Sequence, residues 1–340
     1  MEPSQERLEK RRREDSGPID GSEAEHSAPI TRSTTVWYKD GNIVIQAGRV
    51  QFRFYKGILA RSSTPFSDLF ELPQPAGEPE VEDCPVLVIH DQPEDIEVML
   101  QSLVDDSYDT RFPVSYKTVY STIRMAHKYD MPTLRSKAIA RLTMEFPDTL
   151  EGWDARAKGG GYARIGDVET TDALFALISL AHRYEIRRIL PAAYYKCCSK
   201  MPELLKAAEP TVDIEKCVPF SALESCFKGR EILLESHVEA NYSILEGLAR
   251  PQGNVPDCMS RSDSCYTSWR NHGHEEGLWK SGREVKGLDM WEQWPLVLHL
   301  CETCRHYTEE CLTHSRERTW ENLPQYFDLG TWDDLKNRNY

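Results

Sequence analysis

The sequence predicts an α+β fold, a short β-sheet flanked by helices and followed by a mostly helical region rich in Cys and Trp. Three observations carry that prediction. Short β-branched and aromatic runs gather between residues 43 and 89. Apolar residues recur with helical spacing from residue 93 onward. One internal echo, AHKYDMPTL at 126–134 against AHRYEIRRIL at 181–190, repeats a helix junction. A chain of 340 residues has room for about two domains.

Residues 1–33 are polar, mixed in charge and without periodicity, and are expected to form a disordered tail. Order is expected from Val36-Trp37-Tyr38. Ile43-Val44-Ile45 and Val50-Gln51-Phe52-Arg53-Phe54, separated at Gly48, read as a hairpin whose second strand turns Val50, Phe52 and Phe54 to one face. Ile58 and Leu59 suit one helical turn. Ser63 then stands as an N-cap, with Pro65 just inside and Phe66, Leu69 and Phe70 on one stripe. Leu72-Pro73-Gln74-Pro75 stops that helix, and an acidic loop leads to Val86-Leu87-Val88-Ile89. This run is expected to be a strand buried on both faces.

Helices follow on the stripes Ile96, Met99, Leu100, Leu103; then Tyr116, Val119, Tyr120, Ile123, Ala126; then Leu134, Ala138, Ile139, Leu142. Asp130-Met131-Pro132 reads as the junction between the last two. The echo predicts a second helical hairpin over 174–200, and a single echo is not a solenoid period. Lys158-Gly159-Gly160-Gly161 reads as a loop, Ile232–Leu248 as a helix, 249–285 as loop, and Trp294–Trp320 as a long helix. Aromatics in Leu323-Pro324-Gln325-Tyr326-Phe327 are expected to cover an apolar groove. The expected division is a tail over 1–33, a first domain over 34–146, a linker and second hairpin over 147–210, and the Cys/His/Trp-rich remainder over 211–340.

A formal charge of −14 argues against nucleic acid as the main partner, because phosphate contacts need clustered Lys and Arg. Lys10-Arg11-Arg12-Arg13 is the one dense basic run, either a nuclear-import signal or a solvated stretch of tail. The longest apolar stretch, Ala173–Ala181, is about half the ~18 residues of a spanning helix, and the N-terminus opens on charge. An intracellular chain, cytoplasmic or nuclear, with thiols rather than disulfides is therefore expected.

Enzyme motifs are missing. There is no G-x-S-x-G, and His274-Glu275-Glu276 lacks the second histidine of H-E-x-x-H. Gly161 and Gly166 have P-loop spacing, but Asp167-Val168 stand where Lys and Ser or Thr are needed. No catalytic residue, small-molecule substrate or required cofactor is expected. All the cysteines except Cys84 lie beyond residue 190. Cys258 and Cys265 in a loop with Cys301-Glu302-Thr303-Cys304 could close a tetrahedral structural zinc site. Alternatively, Cys301, Cys304 and Cys311 line a helix face as small hydrophobes. His272, His274, His299 and His306 are spare ligand candidates. Trp269, Trp279, Trp291, Trp294, Trp320 and Trp332 fit core packing better than a peptide-binding surface.

Residues 42–146 resemble a BTB/POZ (SKP1-like) domain. The motif F-x-x-[HY]-[KR]-x-x-L-x-x-x-S-x-x-F-x-x-[LM] is met by Phe52, Tyr55, Lys56, Leu59, Ser63, Phe66 and Leu69. The V-L-V-I strand, the Pro93-x-x-Ile96 helix start and the AHKYDMPTL junction follow in the family's order. Asn42 replaces the usual opening aspartate, and Leu103-Val104-Asp105 replaces the usual L-x-x-[LF]-Y helix end. The whole arrangement is similar to the expanded BTB proteins of fungi. The resemblance implies a protein-interaction module that homodimerises through its first strand and neighbouring helix, here through Trp37, Ile43, Phe54, Ile58 and Leu59. It also implies a second role, substrate adaptor of a cullin-type ubiquitin ligase, with docking candidates Phe66, Leu69, Phe70 and Glu71 or Val81, Glu82 and Asp83. A third is a transcriptional regulator using the domain as a corepressor platform.

Overall fold

The computed structural model describes residues 29–73, 77, 79–104, 112–158, 165–168, 170–207, 218–248, 264–275, 285, 287–288 and 300–337. They fall into two compact units, Met1–Tyr55 with Pro75–Glu97, and Lys56–Gln74 with Val98–Tyr340. The fold class is α+β, and the described residues beyond 170 form helices and their connections.

The first unit is built on a five-stranded sheet: β1 (Thr31–Trp37), β2 (Ile43–Ala47), β3 (Val50–Phe54), β4 (Glu80–Val81) and β5 (Cys84–Ile89), in the order β1-β3-β2-β5-β4. The expected hairpin is present. β2 and β3 pair antiparallel from Ile43↔Phe54 to Ala47↔Val50, and Gly48 takes a left-handed turn conformation, φ 54°. The first described strand, β1, begins at Thr31, ahead of the expected Val36, and runs parallel to β3, while 1–28 of the expected tail lie outside the described residues. The register slips between Arg32 and Trp37. There Ser33 Oγ accepts the N–H groups of Thr35 and Val36 at 3.2 and 3.0 Å, supplying the partners that the ladder loses.

The β4–β5 turn places Glu82 and Asp83 at φ 51° and 61°, the double left-handed conformation of a two-residue hairpin. Cys84 is buried and donates to the Gly41 carbonyl. Val88, by contrast, is 53% exposed. The expectation of a strand buried on both faces is corrected: four consecutive apolar residues here record β-propensity, not double burial.

In sequence α3 (Pro93–Val104) leads from the first unit into the second. The second unit contains α1 (Lys56–Ser62), α2 (Thr64–Glu71), α4 (Tyr116–Lys128), α5 (Pro132–Glu145), α6 (Leu150–Lys158), α7 (Thr171–Arg183), α8 (Leu190–Cys197), α9 (Met201–Ala207), α10 (Phe220–Leu248), α11 (Ser264–Glu275), α12 (Glu302–Tyr326) and α13 (Trp332–Asn337). The echo is structural. After α4, Asp130 is left-handed at φ 45°, and the Met131 N–H reaches back to the Ala126 carbonyl at 2.8 Å. After α7, Glu185 at φ 56° and Ile186 N–H to Ala181 O at 2.8 Å repeat the geometry. A third copy ends α12, with Asp328 at φ 57° and Leu329 N–H to Pro324 O at 2.9 Å. Each is a Schellman C-cap in which an acidic residue takes the position glycine usually holds. The third is hard to read from sequence because only the aromatic–acidic–apolar core, Phe327-Asp328-Leu329, survives there.

The three hairpins share one core. Val119, Ile123, Ala138, Leu142 and Phe146 pack in a single cluster with Leu174, Ile178, Tyr194, Leu223, Trp320, Phe327 and Leu335. Described parts of 147–210 and 211–340 thus join the same core as α4 and α5, so the division into successive segments is one of sequence and not of packing. The helix bounds change too. α10 starts at Phe220, twelve residues ahead of Ile232; α11 lies inside the stretch expected to be loop; and α12 spans Glu302–Tyr326, while 294–299 of the expected Trp294–Trp320 helix lie outside the described residues. Phe327 covers an apolar site as expected. Its ring occupies the space where a Cβ on Gly229 would stand and meets Tyr194 edge-on at 5.4 Å.

Candidate functional site

Ser63 is the hinge of the seven-residue motif. It caps α2 by accepting the Phe66 N–H at 3.2 Å and donates to the Tyr129 carbonyl at 2.5 Å, tying α2 to the α4–α5 turn. Phe66, buried, stacks on Tyr129 with ring centroids 4.7 Å apart. Phe52 and Leu59 are buried in their own units. Lys56 lies over the Phe70 ring at 5.0 Å. The Tyr55 hydroxyl donates to Asp40 at 2.8 Å, and that acceptor raises its pKa. Spacing in the motif therefore encodes a cap, a stack and a core, while Leu69 stays on the surface.

Of the residues expected at a dimer face, Ile43, Phe54 and Leu59 are already buried within one chain and have no area to offer a partner. Their own chain's packing turns them inward. Trp37 and Ile58 keep part of their surface exposed. Trp37 lies on the edge strand β1 and carries the Arg32 guanidinium over its ring at 4.5 Å. Arg32 also bonds Glu82 at 2.5 Å, and Arg53 reaches the other oxygen of that carboxylate at 2.7 Å. This Arg–Glu–Arg link is not legible in the sequence, since its members lie on two different strands and a turn.

The link bears on the docking triplets. Glu82 and Asp83 form a tight turn, and Glu82 is held by two arginines, so Val81-Glu82-Asp83 reads as a structural corner. At the end of α2, Leu69 is 37% and Leu72 is 60% exposed, with Glu71 exposed beside them and Phe66 buried beneath. Sequence alone does not single out Leu72, because it reads there as part of the helix stop.

The Sγ atoms of Cys265, Cys301 and Cys304 lie within 4.8 Å of one another. Cys265 stands on α11; Cys301 is the N-cap of α12, and Cys304 sits in its first turn. The C-x-x-C therefore straddles a helix start, not a helix interior. Cys301 makes no side-chain cap bond, and its backbone N–H donates to Cys265 Sγ at 3.3 Å. Cys258, His299 and the His272 and His274 side chains lie outside the described residues, as do Trp279, Trp291 and Trp294 and the basic run at 10–13. His306 is exposed and faces Glu310 at 3.4 Å.

The other cysteines differ. Cys198 and Cys226 are buried, and burial raises the Cys198 thiol pKa; a hydrogen bond with Cys197, then burial, raises that of Cys226. These thiols are core. Trp269 and Trp320 are core as well, and Trp332 stacks on Trp320 with centroids 5.3 Å apart. Among the described residues no helix is long and apolar enough to cross a membrane.

In comparison with known families, the BTB/POZ domain family matches residues 38–143, a span that contains the seven-residue motif. No curated protein and no solved structure matches the chain.

Proposed function

We propose, from the premise that this is a BTB/POZ-domain protein, that the chain acts without catalysis as a protein-interaction module whose copies pair along the edge of β1. The BTB/POZ domain at 38–143 is a protein-interaction domain, and that match carries the reading. Self-pairing is supported by β1 itself. The strand Thr31–Trp37 is rich in threonine and ends a sheet, and only one of its two edges faces β3. Among the described residues no strand pairs with the other edge of β1, and such an edge offers N–H and C=O groups to a second strand. Trp37, partly exposed at its end, supplies an aromatic anchor of the kind that dominates interfaces. A stable pair should bury about 1,200–2,000 Å². Light scattering on the full chain at micromolar concentration tests this. A dimer that becomes a monomer in Trp37→Glu supports the reading; a monomeric parent chain overturns it.

A second reading, adaptor of a cullin-type ligase, rests on the exposed Leu69, Glu71 and Leu72 at the end of α2. Adding the cullin N-terminal segment to the same measurement should raise the mass, and Leu69→Arg should abolish the gain. No gain with the parent chain removes this reading and leaves the first intact.

A further inference from the structure

We propose that Cys265, Cys301 and Cys304 bind a zinc ion that clamps α11 to the first turn of α12. The three residues converge from two helices whose facing ends, Glu275 and Glu302, are far apart in the sequence. A tetrahedral zinc with Zn–S of about 2.3 Å holds its sulfurs about 3.8 Å apart. Sulfurs within 4.8 Å of one another need only about 1 Å of inward adjustment to reach that geometry.

The surroundings place hydrogen-bond donors at the sulfurs. The N-terminus of α12 brings its positive end and first amides to the site. The amide of Cys301 already donates to Cys265 Sγ. A hydrogen bond of this kind both orients a metal-bound thiolate and offsets part of its charge. The N-cap position usually holds Ser, Thr, Asp or Asn because the side chain must accept an amide hydrogen. Cys301 stands there without capping, and a sulfur in that place suits a soft metal better than an amide.

The local packing supplies a reason for the metal. Among the described residues, the cluster of Ile244, Leu248, Cys265, Trp269, Leu300 and Cys304, with Leu245, Tyr266, Tyr307 and Leu312 partly buried against it, is separate from the main core. Structural zinc sites contribute binding free energy directly to folding. Loading exchanges three thiol protons for one divalent cation. The three S–H bonds break, three S–Zn bonds form, no electrons move, and the fourth position is left to water or to a further donor.

The test uses the full chain purified under reducing conditions. About one zinc per chain by elemental analysis is expected. After chelation, adding Co²⁺ should produce the near-ultraviolet thiolate-to-cobalt absorption. Cys304→Ser should lose both signals, and Cys311→Ser, on the same helix but outside the sulfur trio, should keep both. Should Cys304→Ser fail to fold, the cobalt spectrum of the parent chain still decides. Absence of zinc together with no thiolate–cobalt band overturns the proposal, as does equal zinc in the parent and the Cys304→Ser chain. So does a Cys301–Cys304 disulfide that, once reduced, still binds no metal.

Discussion

At the scale of single residues, three polar side chains set much of the local chemistry of the second unit: Glu145, His182 and Ser63. Glu145 is 1% exposed and receives Arg156 at 2.6 Å and Lys196 at 3.7 Å, while those partners keep 21% and 13% of their side chains in contact with water. A fully buried pair broken on one side costs about 3–5 kcal/mol and an exposed one about 0–1. Glu145→Ala should therefore cost about 2–3 kcal/mol in urea unfolding, with Glu145→Gln recovering part through its amide. His182 bonds Tyr194 at 2.5 Å, and burial, then Arg187, lowers its pKa. The unfolded chain takes up this proton before the folded one does, so stability is present above the ordinary histidine pKa of about 6.5 and is lost as pH falls. The Tm should drop between about pH 7.5 and 5.5, and less steeply in His182→Gln. Neither role is legible in the sequence, because a histidine or glutamate in a helical stripe carries no mark of its partner. Ser63 is legible, since a cap is a local event. Ser63→Ala should cost about 1–2 kcal/mol by thermal unfolding, because the Phe66 N–H loses its acceptor.

Among the elements, legibility follows how strongly each announces itself along the chain. The β2–β3 hairpin and helices α2, α4, α5 and α7 have turn residues or capping residues at their ends and clear apolar stripes, and the sequence locates them. The bounds of α12 are obscure because ETCRHYTEECLTHSRERTWENLPQY is polar almost all round and even contains Pro324. Its helix is held by what packs on it, including Arg316, which grips Asp154 with two nitrogens and the Leu288 carbonyl with a third. α11 is obscure because Ser, Thr, Asn, His and Gly are poor helix formers. The metal candidates show both sides of this. Spacing points to Cys258, Cys265, Cys301 and Cys304, of which Cys258 lies outside the described residues, yet the decisive fact, a cysteine at an N-cap beside a third sulfur, depends on where α12 begins. The repeated turn yields a prediction of its own. Glu185 holds a left-handed backbone that costs an L-residue about 1–2 kcal/mol. Glu185→Gly relieves that strain at some entropic cost, and should raise the Tm by the equivalent of about 0.5–1 kcal/mol.

On the scale of the whole molecule, the shared core makes the C-terminal helices part of what the BTB/POZ domain needs. Val119, Ile123, Leu142 and Phe146 lie inside 38–143 or just beyond it, and they are buried in one cluster with side chains from α7, α8, α9, α10, α12 and α13. A chain cut at residue 146 would return much of that surface to water. Re-exposure costs about 1.5–3 kcal/mol for each large apolar side chain, against a total stability of about 5–15 kcal/mol. Residues 34–146 alone should therefore be aggregated or lack a cooperative unfolding transition, whereas the full chain should show one. The same reasoning extends to the far end of the sequence. Phe327 fills the notch at Gly229, where a side chain of any size would collide with its ring. Gly229→Ala should cost about 1–3 kcal/mol, the range for overpacking. Deleting 321–340 should cost more, since it strips Leu323, Phe327 and Leu335 from the core at once. If Gly229→Ala and the deletion left thermal unfolding unchanged, the last hairpin would be an appendage and the interaction module could be studied without it. If both lower the Tm in that order, any partner surface assigned to the BTB/POZ domain has to be tested on the intact chain.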